Sequence, residues 1–268
     1  MPIGWNGVAF NQATASENRI HADDVAREYG FRGGLVPGVT VYAYLVHPAV
    51  VAWGEAWLAR GRAHLELKKP LYDGSAFRVE VREATGAEYA ATLFDADGTA
   101  CAFAKVALPA GPAPSAPALR GDRPVPPADA RPAATLASME RLQREGMGAL
   151  RVQWRGDGEL DRYTRELSDM PLLVRPDGAG RANPAFVLGL ANWVLARNVE
   201  LGPWIHTDSD VQHHAPVALG DWLTVEAAVT NLFERRGNRF VEMTVCAHGE
   251  RGPVLVAQHR AIYELSAR

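Results

Sequence analysis

A short segment near the N-terminus, residues 16–31, contains the side chains best suited to chemistry. It begins Ser-Glu-Asn-Arg-Ile-His-Ala-Asp-Asp and continues into a short helical pattern. His21 is the candidate acid/base, because the pKa of histidine lies near neutral pH. Asn18 could orient a substrate or a water molecule. His21 also stands close to Asp23 and Asp24, so the alternative interpretation is a polar network at the start of that short helix.

This segment resembles the signature of MaoC-like (R)-specific enoyl-CoA hydratases. The family's pattern runs roughly Gly-Asp-x-Asn-Pro-Ile-His-x-Asp, then a short helix ending in Gly-Phe, then Ile-x-His-Gly. The positions that match are Asn18, Ile20, His21, Asp23, Gly30, Phe31 and Gly38. The resemblance implies an α+β double hotdog fold, in which two tandem units wrap an antiparallel sheet around long central helices. It also implies an acyl-thioester hydratase or dehydratase.

Three positions depart from the family's pattern. Ser16 stands where the family has an aspartate that works with the histidine in activating water, Arg19 stands at its proline, and Pro37 stands at its second histidine. The missing aspartate leaves three interpretations open. Glu17 could supply the carboxylate, or Ser16 could position water and leave His21 as the sole base. In the third interpretation hydration is lost and the protein only binds an acyl chain.

Hydration of an enoyl thioester needs a group that deprotonates water, a proton for Cα and a donor that polarises the carbonyl. The first N–H groups of a helix lack intrahelical acceptors and lie at the positive end of its dipole. Gly38 is expected at such a helix start, where the absence of a Cβ permits close backbone approach. The residues that the resemblance places at the site are His21, Ser16, Asn18 and Glu17 for catalysis and Gly38, Pro37 and Asp23 for substrate binding.

The elements that must position these residues form two similar halves. Pro70 and Pro216 lie in matching segments whose numbers differ by 216 − 70 = 146. The same offset relates the helix start at Pro37-Gly38 to the one at Asn183-Pro184, and it relates a pair of strand-like segments. One register shared by three elements indicates an internal duplication.

A proline-rich stretch lies between the halves. Proline fixes φ and donates no backbone hydrogen bond, so an extended linker is predicted. The predicted division is residues 1–108 as the unit with the hydratase-like loop, 109–134 as the linker and 135–268 as the second unit. In the first unit Pro48 is expected to kink or split the long helix.

Two periodicities predict the secondary structure. Apolar residues at i, i+3 and i+4 spacing after Pro184 predict a helix, and runs bounded by turn residues predict strands. The strands are expected at about residues 63–71, 76–84 and 89–108, and at about 209–217, 222–233 and 240–265. A helix followed by a meander in each half favours an antiparallel sheet over a βαβ fold.

A second motif, residues 177–184, gives a rival interpretation. Its sequence, Asp-Gly-Ala-Gly-Arg-Ala-Asn-Pro, weakly resembles the segment with which hotdog thioesterases begin their central helix. Asp177 would then attack the thioester or activate water. The simpler interpretation is a glycine-rich loop in which Asn183 caps a helix with Pro184 in its first turn. A non-catalytic acyl-binding protein is the remaining alternative.

Composition limits the partners and the compartment. A net charge of −3 and a pI near 6.2 offer no basic surface for nucleic acid or an anionic membrane. The first residues lack the features of a signal peptide, and no apolar run is long enough to span a membrane. Two cysteines without metal-site spacing favour a cytoplasmic protein. The expected partner is an acyl-CoA or acyl-carrier thioester, with no cofactor and no metal, and a homodimer is left open.

Overall fold

A computed structural model describes residues 1–120, 123–156 and 180–266 of the chain. The strands are β1 Trp5–Val8, β2 Arg62–Leu67, β3 Ala76–Arg82, β4 Glu88–Asp95, β5 Ala100–Ala107, β6 Leu150–Gln153, β7 Ile205–His213, β8 Trp222–Arg235, β9 Asn238–Gly249 and β10 Gly252–Glu264. The helices are α1 Asp23–Glu28, α2 Gly38–Trp53, α3 Glu55–Arg60, α4 Leu136–Glu145 and α5 Pro184–Asn198.

The ten strands of the described residues form one sheet in the order β1-β3-β4-β5-β2-β7-β10-β9-β8-β6. The halves meet where β2 pairs antiparallel with β7, from Arg62 opposite Gln212 to Glu66 opposite Asp208. The offset of 146 exchanges these two pairs, since 62 + 146 = 208 and 212 − 146 = 66. A pseudo-twofold axis therefore passes between the central pair, His64 and Asp210, and the predicted duplication is confirmed.

The two long helices follow the same symmetry. α2 begins at Gly38 and α5 at Pro184, again 184 − 38 = 146 positions apart. The helices pack against each other, and both contribute to one hydrophobic core that runs through the two halves. Because α2 is enclosed on all sides, every residue between Val39 and Val50 is buried, which explains its apolar sequence.

Pro48 does not split the long helix, and the expected kink stays a prediction. α2 continues through Pro48 to Trp53 and ends at Gly54, whose φ of 56° is left-handed. Proline cannot donate to the carbonyl four residues earlier, which belongs to Tyr44. That carbonyl instead accepts a hydrogen bond of 3.0 Å from the indole N–H of Trp5 on β1. A donor from the edge strand thus replaces the missing helical one.

The predicted strands correspond to β2–β5 and β7–β10, because the last predicted segment of each half folds as a hairpin. The edge strands β1 and β6 and the helix α4 were not predicted. The linker contains one short 3-10 helix, Ala128–Ala130, while the division of the chain at residues 108 and 135 stays a prediction. No helix among the described residues is long and apolar enough to cross a membrane.

Candidate functional site

A cavity of about 830 Å³ lies between the first half, the linker and α5 of the second half. Five of the seven predicted site residues line it, namely Ser16, Glu17, Asn18, His21 and Pro37. The opposite wall is one face of α5. The loop that carries the chemistry and the wall that faces it therefore come from different copies of the repeat.

His21 is held by hydrogen bonds that fix its tautomer. Its Nδ1 lies 2.7 Å from the carbonyl oxygen of Leu35, which can only accept, so Nδ1 carries the proton. Nε2 is then the acceptor, and it lies 3.3 Å from the amide nitrogen of Asn18. Burial lowers the pKa of His21, and the hydrogen bond to Leu35 opposes that shift. At neutral pH the ring is therefore a neutral base whose lone pair lies on Nε2, facing the Asn18 amide.

Asn18 connects the loop to the second half. Its Oδ1 accepts hydrogen bonds from the backbone N–H groups of Ile20, at 3.3 Å, and Trp204, at 3.2 Å. Its Nδ2 donates to the carbonyl of Trp204 at 3.0 Å. These bonds orient the amide so that its nitrogen faces Nε2 of His21, as a donor to the base. The alternative for His21, a polar network at the start of α1, is not seen in the described contacts: the N-cap of α1 is Ala22, without a side-chain bond, and Asn18 caps the preceding 3-10 helix Arg19–His21 instead.

Ser16 and Glu17 occupy the outer part of the same loop. The Ser16 hydroxyl donates to the carbonyl of Asn18 at 3.1 Å, which leaves its oxygen able to accept. The Glu17 carboxylate pairs with Arg131 of the linker at 3.2 Å and with Arg197 of α5 at 3.0 Å. The hydrogen bond from Arg131 is the main reason that the pKa of Glu17 is lowered. Its carboxylate is engaged by two cations, which makes it a weak base.

The N-terminus of α2 borders the cavity through Pro37 and Val39. Pro37 occupies the N-cap position and makes no side-chain capping bond. Within the described residues, the N–H groups of Gly38 and Val39 have no acceptor. Unpaired N–H groups at the positive end of a helix dipole can hold a developing oxyanion.

Gly38 itself faces away from the cavity. A Cβ at this position would collide with Leu67 and lie 2.7 Å from Nδ1 of His206. Its glycine is thus explained by packing against the sheet, and Gly38 is not among the residues that line the cavity. Asp23 is also outside the cavity lining: one oxygen accepts from the N–H of Gly34 at 2.8 Å and the other pairs with Arg27 at 2.8 Å. Its contacts hold the turn before α2, which is a structural explanation for its presence in the motif.

Behind Gly38 three buried polar side chains of the second half form a chain of hydrogen bonds. Nε2 of His206 lies 3.2 Å from the carbonyl of Asp208 and 2.9 Å from the hydroxyl of Ser209, which in turn lies 2.9 Å from Nδ1 of His259. Burial lowers the pKa of His206 to about 4 and the pKa of His259 well below its ordinary value. Both rings are therefore neutral in the folded protein.

The second-half wall was not foreseen from the sequence. Among its residues are Phe186, Gly189, Asn192 and Trp193, which share one face of α5. Oδ1 of Asn192 is buried without a hydrogen-bond partner in the described part of the chain. A spacing of three and four residues places these side chains on one face of α5. The opposite face of α5 is apolar as well, so no difference in polarity between the faces distinguished the one that lines the cavity.

The first three residues of the rival motif, 177–179, lie outside the described residues, and 180–184 are described. Asp177 is outside the described residues. The part that is described follows the simpler interpretation: Asn183 is the N-cap of α5 and accepts from the N–H of Ala185 at 2.8 Å, and Pro184 is in the first turn. The helix-cap prediction is confirmed.

Comparison with known proteins gives structural likeness only. No protein-family model matches the sequence, and no curated protein sequence matches it significantly. A conserved hypothetical protein from Mycobacterium tuberculosis with a double hotdog fold is similar at a TM-score of 0.63 and 17% identity, over 98% of this chain and 96% of that one. A MaoC-like dehydratase is similar at a TM-score of 0.56 and 12% identity, over 98% of each chain.

A protein from Lactobacillus plantarum described as an oleoyl thioesterase is similar at a TM-score of 0.51 and 10% identity, over 98% of this chain and 97% of that one. At such identities the likeness shows the fold alone. The chain has a double hotdog fold, as its sequence predicts. Because dehydratases and thioesterases share this fold, the activity must be argued from the cavity.

Proposed function

We propose that this chain is an acyl-thioester hydratase or dehydratase that uses His21 for proton transfer on an enoyl thioester of coenzyme A or an acyl carrier. The observation that carries the proposal is the fixed tautomer of His21. Its Nδ1–H is bonded to Leu35, so Nε2 is available as a base at the cavity, beside Asn18. The uncapped start of α2 borders the same cavity.

The proposed reaction needs one base and one set of oxyanion donors. Water replaces the long contact of 3.3 Å between Nε2 of His21 and Asn18, and Nε2 takes a proton as the water oxygen bonds to Cβ of the substrate. The electron pair of the Cα–Cβ double bond moves toward the thioester oxygen, where the N–H groups of Gly38 and Val39 hold the negative charge. The imidazolium then returns a proton to Cα. Dehydration is the reverse sequence.

The remaining predicted residues have supporting roles in this proposal. Asn18 donates to the water and Ser16 accepts from it, so both orient the nucleophile. Glu17 is assigned no proton transfer, since its carboxylate is paired with Arg131 and Arg197. Its contacts hold the loop against the linker and α5.

Hydration of crotonyl-CoA, followed by the loss of enoyl absorbance, tests the proposal. Replacing His21 by alanine should lower kcat/KM by about 10²- to 10⁴-fold, the usual contribution of a general acid/base. His64→Ala is the matched control, because His64 lies outside this cavity, on a strand of the central seam. Absence of hydration by the unaltered protein, or equal rates for it and for His21→Ala, contradicts the proposal for this substrate.

The same variants separate the alternatives. Release of free thiol from acyl-CoA that survives His21→Ala and is lost in Asp177→Ala identifies a thioesterase. Binding of acyl-CoA with neither reaction identifies an acyl-binding protein.

A further inference from the structure

Thr40 is a fully buried hydroxyl side chain in the first turn of α2, with an exposed fraction of 0%. A buried hydroxyl needs a hydrogen-bond partner. The partner of Thr40 is Gln12, in the loop that follows β1, and the hydroxyl donates to its Oε1 at 2.9 Å. The residues 146 positions later in the second half are Gly158 and Phe186, whose side chains cannot form such a bond.

The bond from Thr40 fixes the orientation of the Gln12 amide. Because Oε1 accepts from Thr40, Nε2 is the group left to donate, and it has no acceptor among the residues that the structure describes. Gln12 lines the cavity, as does Val39, which is next to Thr40 and also has an N–H without an acceptor in that part of the chain. Two free donors, one from a side chain and one from the backbone, therefore border the cavity at the start of α2.

The backbone around Gln12 is held in place as well. The side chain of Asn11 is buried, donates from Nδ2 to the carbonyl of His21 at 2.9 Å and accepts from the N–H of Ala13 at 3.1 Å. The N–H of Asn11 donates to the carboxylate of Asp73 at 2.7 Å. Gln12 is thus attached both to the loop of His21 and to the start of α2. A donor held in this way loses little freedom when a ligand binds.

We infer that Gln12 is a substrate-binding residue whose Nε2 donates a hydrogen bond to the carbonyl oxygen of the thioester, beside the N–H of Val39. The inference rests on the proposed function in taking an acyl thioester as the ligand, but it requires no reaction. A carbonyl oxygen has two lone pairs and can accept from more than one donor. Negative charge that develops on this oxygen is then shared by a side-chain and a backbone donor. Thr40 touches no substrate and acts through Gln12, as a positioning residue.

Two ligands that differ only in the carbonyl group test the inference. One is a ketone analogue of butyryl-CoA in which CH2 replaces the sulfur, and the other has CH2 in place of the carbonyl as well. Neither can be hydrated or hydrolysed. Calorimetry gives the ratio of their dissociation constants, and any general loss of affinity for coenzyme A cancels in that ratio. The unaltered protein should bind the ketone more tightly.

Gln12→Glu keeps an acceptor for Thr40 and removes the donor. It should lower the preference for the ketone by at least about ten-fold. Gln143→Glu makes the same chemical change on α4, outside the cavity, and is the matched control with an unchanged ratio. Gln12→Met covers the case in which Gln12→Glu does not fold, because methionine has a similar length and neither donor nor charge. It should lower the preference by about five-fold.

The infrared stretching frequency of the isotope-labelled ketone carbonyl, measured on the bound ligand, distinguishes a donor from a merely structural contact. A hydrogen bond to the oxygen lowers this frequency, so the frequency should rise in both Gln12 variants. It should rise by less in Thr40→Val, which leaves the amide in place but no longer holds it.

Three results overturn the inference: no preference for the ketone in the unaltered protein, an unchanged ratio in the folded Gln12 variants, or an unchanged carbonyl frequency in them. None of these measurements involves crotonyl-CoA hydration. Hydration can therefore fail while the preference for the ketone holds, and the reverse.

Discussion

The two central helices begin with nearly the same backbone and opposite hydrogen bonding. The residue before α2, Pro37, has φ −55° and ψ 136°, and the residue before α5, Asn183, has φ −59° and ψ 140°. Asn183 caps its helix through the N–H of Ala185, and Pro184 has no N–H to offer. Pro37 caps nothing, so the start of α2 keeps its donors. The two copies share the backbone geometry, and of these two helices only α2 keeps, within the described residues, free N–H groups at its N-terminus that can bind an anion.

The same division extends to the cavity. The first half supplies His21 and Asn18 on its loop, and the second half supplies a face of α5 that is largely apolar but also carries Asn192. Neither copy builds the cavity alone. Under the proposed function, the first repeat supplies the chemistry and the second supplies much of the cavity wall, which gives one candidate site per chain within the described residues.

The difference between the two helix starts can be removed by giving α2 the N-cap residue of α5. Pro37→Asn should place an amide oxygen on the N–H of Val39, as Asn183 does for Ala185, since the backbone angles already agree. Occupying an oxyanion donor should reduce kcat for crotonyl-CoA hydration by about 100-fold. The free energy of unfolding, measured in urea, should stay equal or rise by about 1 kcal/mol.

The reciprocal change is the control for that exchange. Asn183→Ala removes the cap of α5 and should lower the free energy of unfolding by about 1 kcal/mol. Hydration should remain, because Asn183 is not among the groups proposed to touch substrate. Unchanged hydration in Pro37→Asn would show that the start of α2 is not the oxyanion site.

His206 of the second half, unlike His21, does not line the cavity, and the effect of its burial on stability can be tested by lowering the pH. Burial lowers the pKa of His206 from 6.5 to about 4, so below pH 6.5 the unfolded chain binds a proton that the folded chain refuses. The contribution of His206 to stability is complete above pH 6.5 and is lost as the pH falls toward 4, by about 2 kcal/mol at pH 5. Urea unfolding at several pH values should show a shallower loss for His206→Gln than for the unaltered protein. The same pH dependence in both would contradict this account.

The glycines of the two long helices, Gly38 and Gly189, differ in how much room surrounds them, and stability measurements on their alanine variants can show this difference. Gly38→Ala forces a Cβ against Leu67 and His206 and should lower the free energy of unfolding by about 2 kcal/mol. Gly189→Ala meets only ordinary contact with Val39 and should raise it by about 1 kcal/mol, because alanine favours a helix. Thermal unfolding of the pair should therefore shift in opposite directions. A loss of stability in Gly189→Ala would show that packing does require that glycine.

The smallest effect is expected at Glu17. Glu17→Gln removes the charge of a largely exposed carboxylate that pairs with the exposed Arg197 and the mostly buried Arg131, so the free energy of unfolding should change by less than about 1 kcal/mol. Hydration should stay within about three-fold of the unaltered rate. A loss of a hundred-fold would instead identify Glu17 as the carboxylate that replaces the family's aspartate.

Much of the fold could be predicted because it depends on local pattern and repetition. The offset of 146 placed both helix starts, at Gly38 and Pro184, to the residue. Alternation and turn residues placed the strands, while the linker stays a prediction. The expected meander is wrong at the first strand of each half, since β2 pairs with β5 and not with β3, and β7 pairs with β10 and not with β8. Local pattern gave a wrong expectation at Pro48, where the helix was expected to split. The carbonyl of Tyr44 that proline leaves unpaired accepts a hydrogen bond from Trp5, which is far away in sequence.

The candidate site was predictable only on its loop side. His21, Asn18 and Ser16 follow a contiguous motif, whereas Gly189 and Trp193 reach the cavity only because α2 and α5 pack together. The contribution of Arg131 depends on the path of the linker across the surface, which proline content does not specify. Contacts between distant segments determine which of these residues line the cavity, and a single sequence does not reveal such contacts.

The pairing of β2 with β7, centred on His64 and Asp210, affects how substitutions can accumulate in such proteins. In a dimer of two identical chains every substitution is made twice, so a cap added at one helix start is added at both. The linker makes pairing of β2 with β7 intramolecular, at an effective concentration that two separate chains would seldom reach. Each copy can then be altered alone without losing its companion. Covalent continuity is what permits a symmetric framework to hold an asymmetric interior.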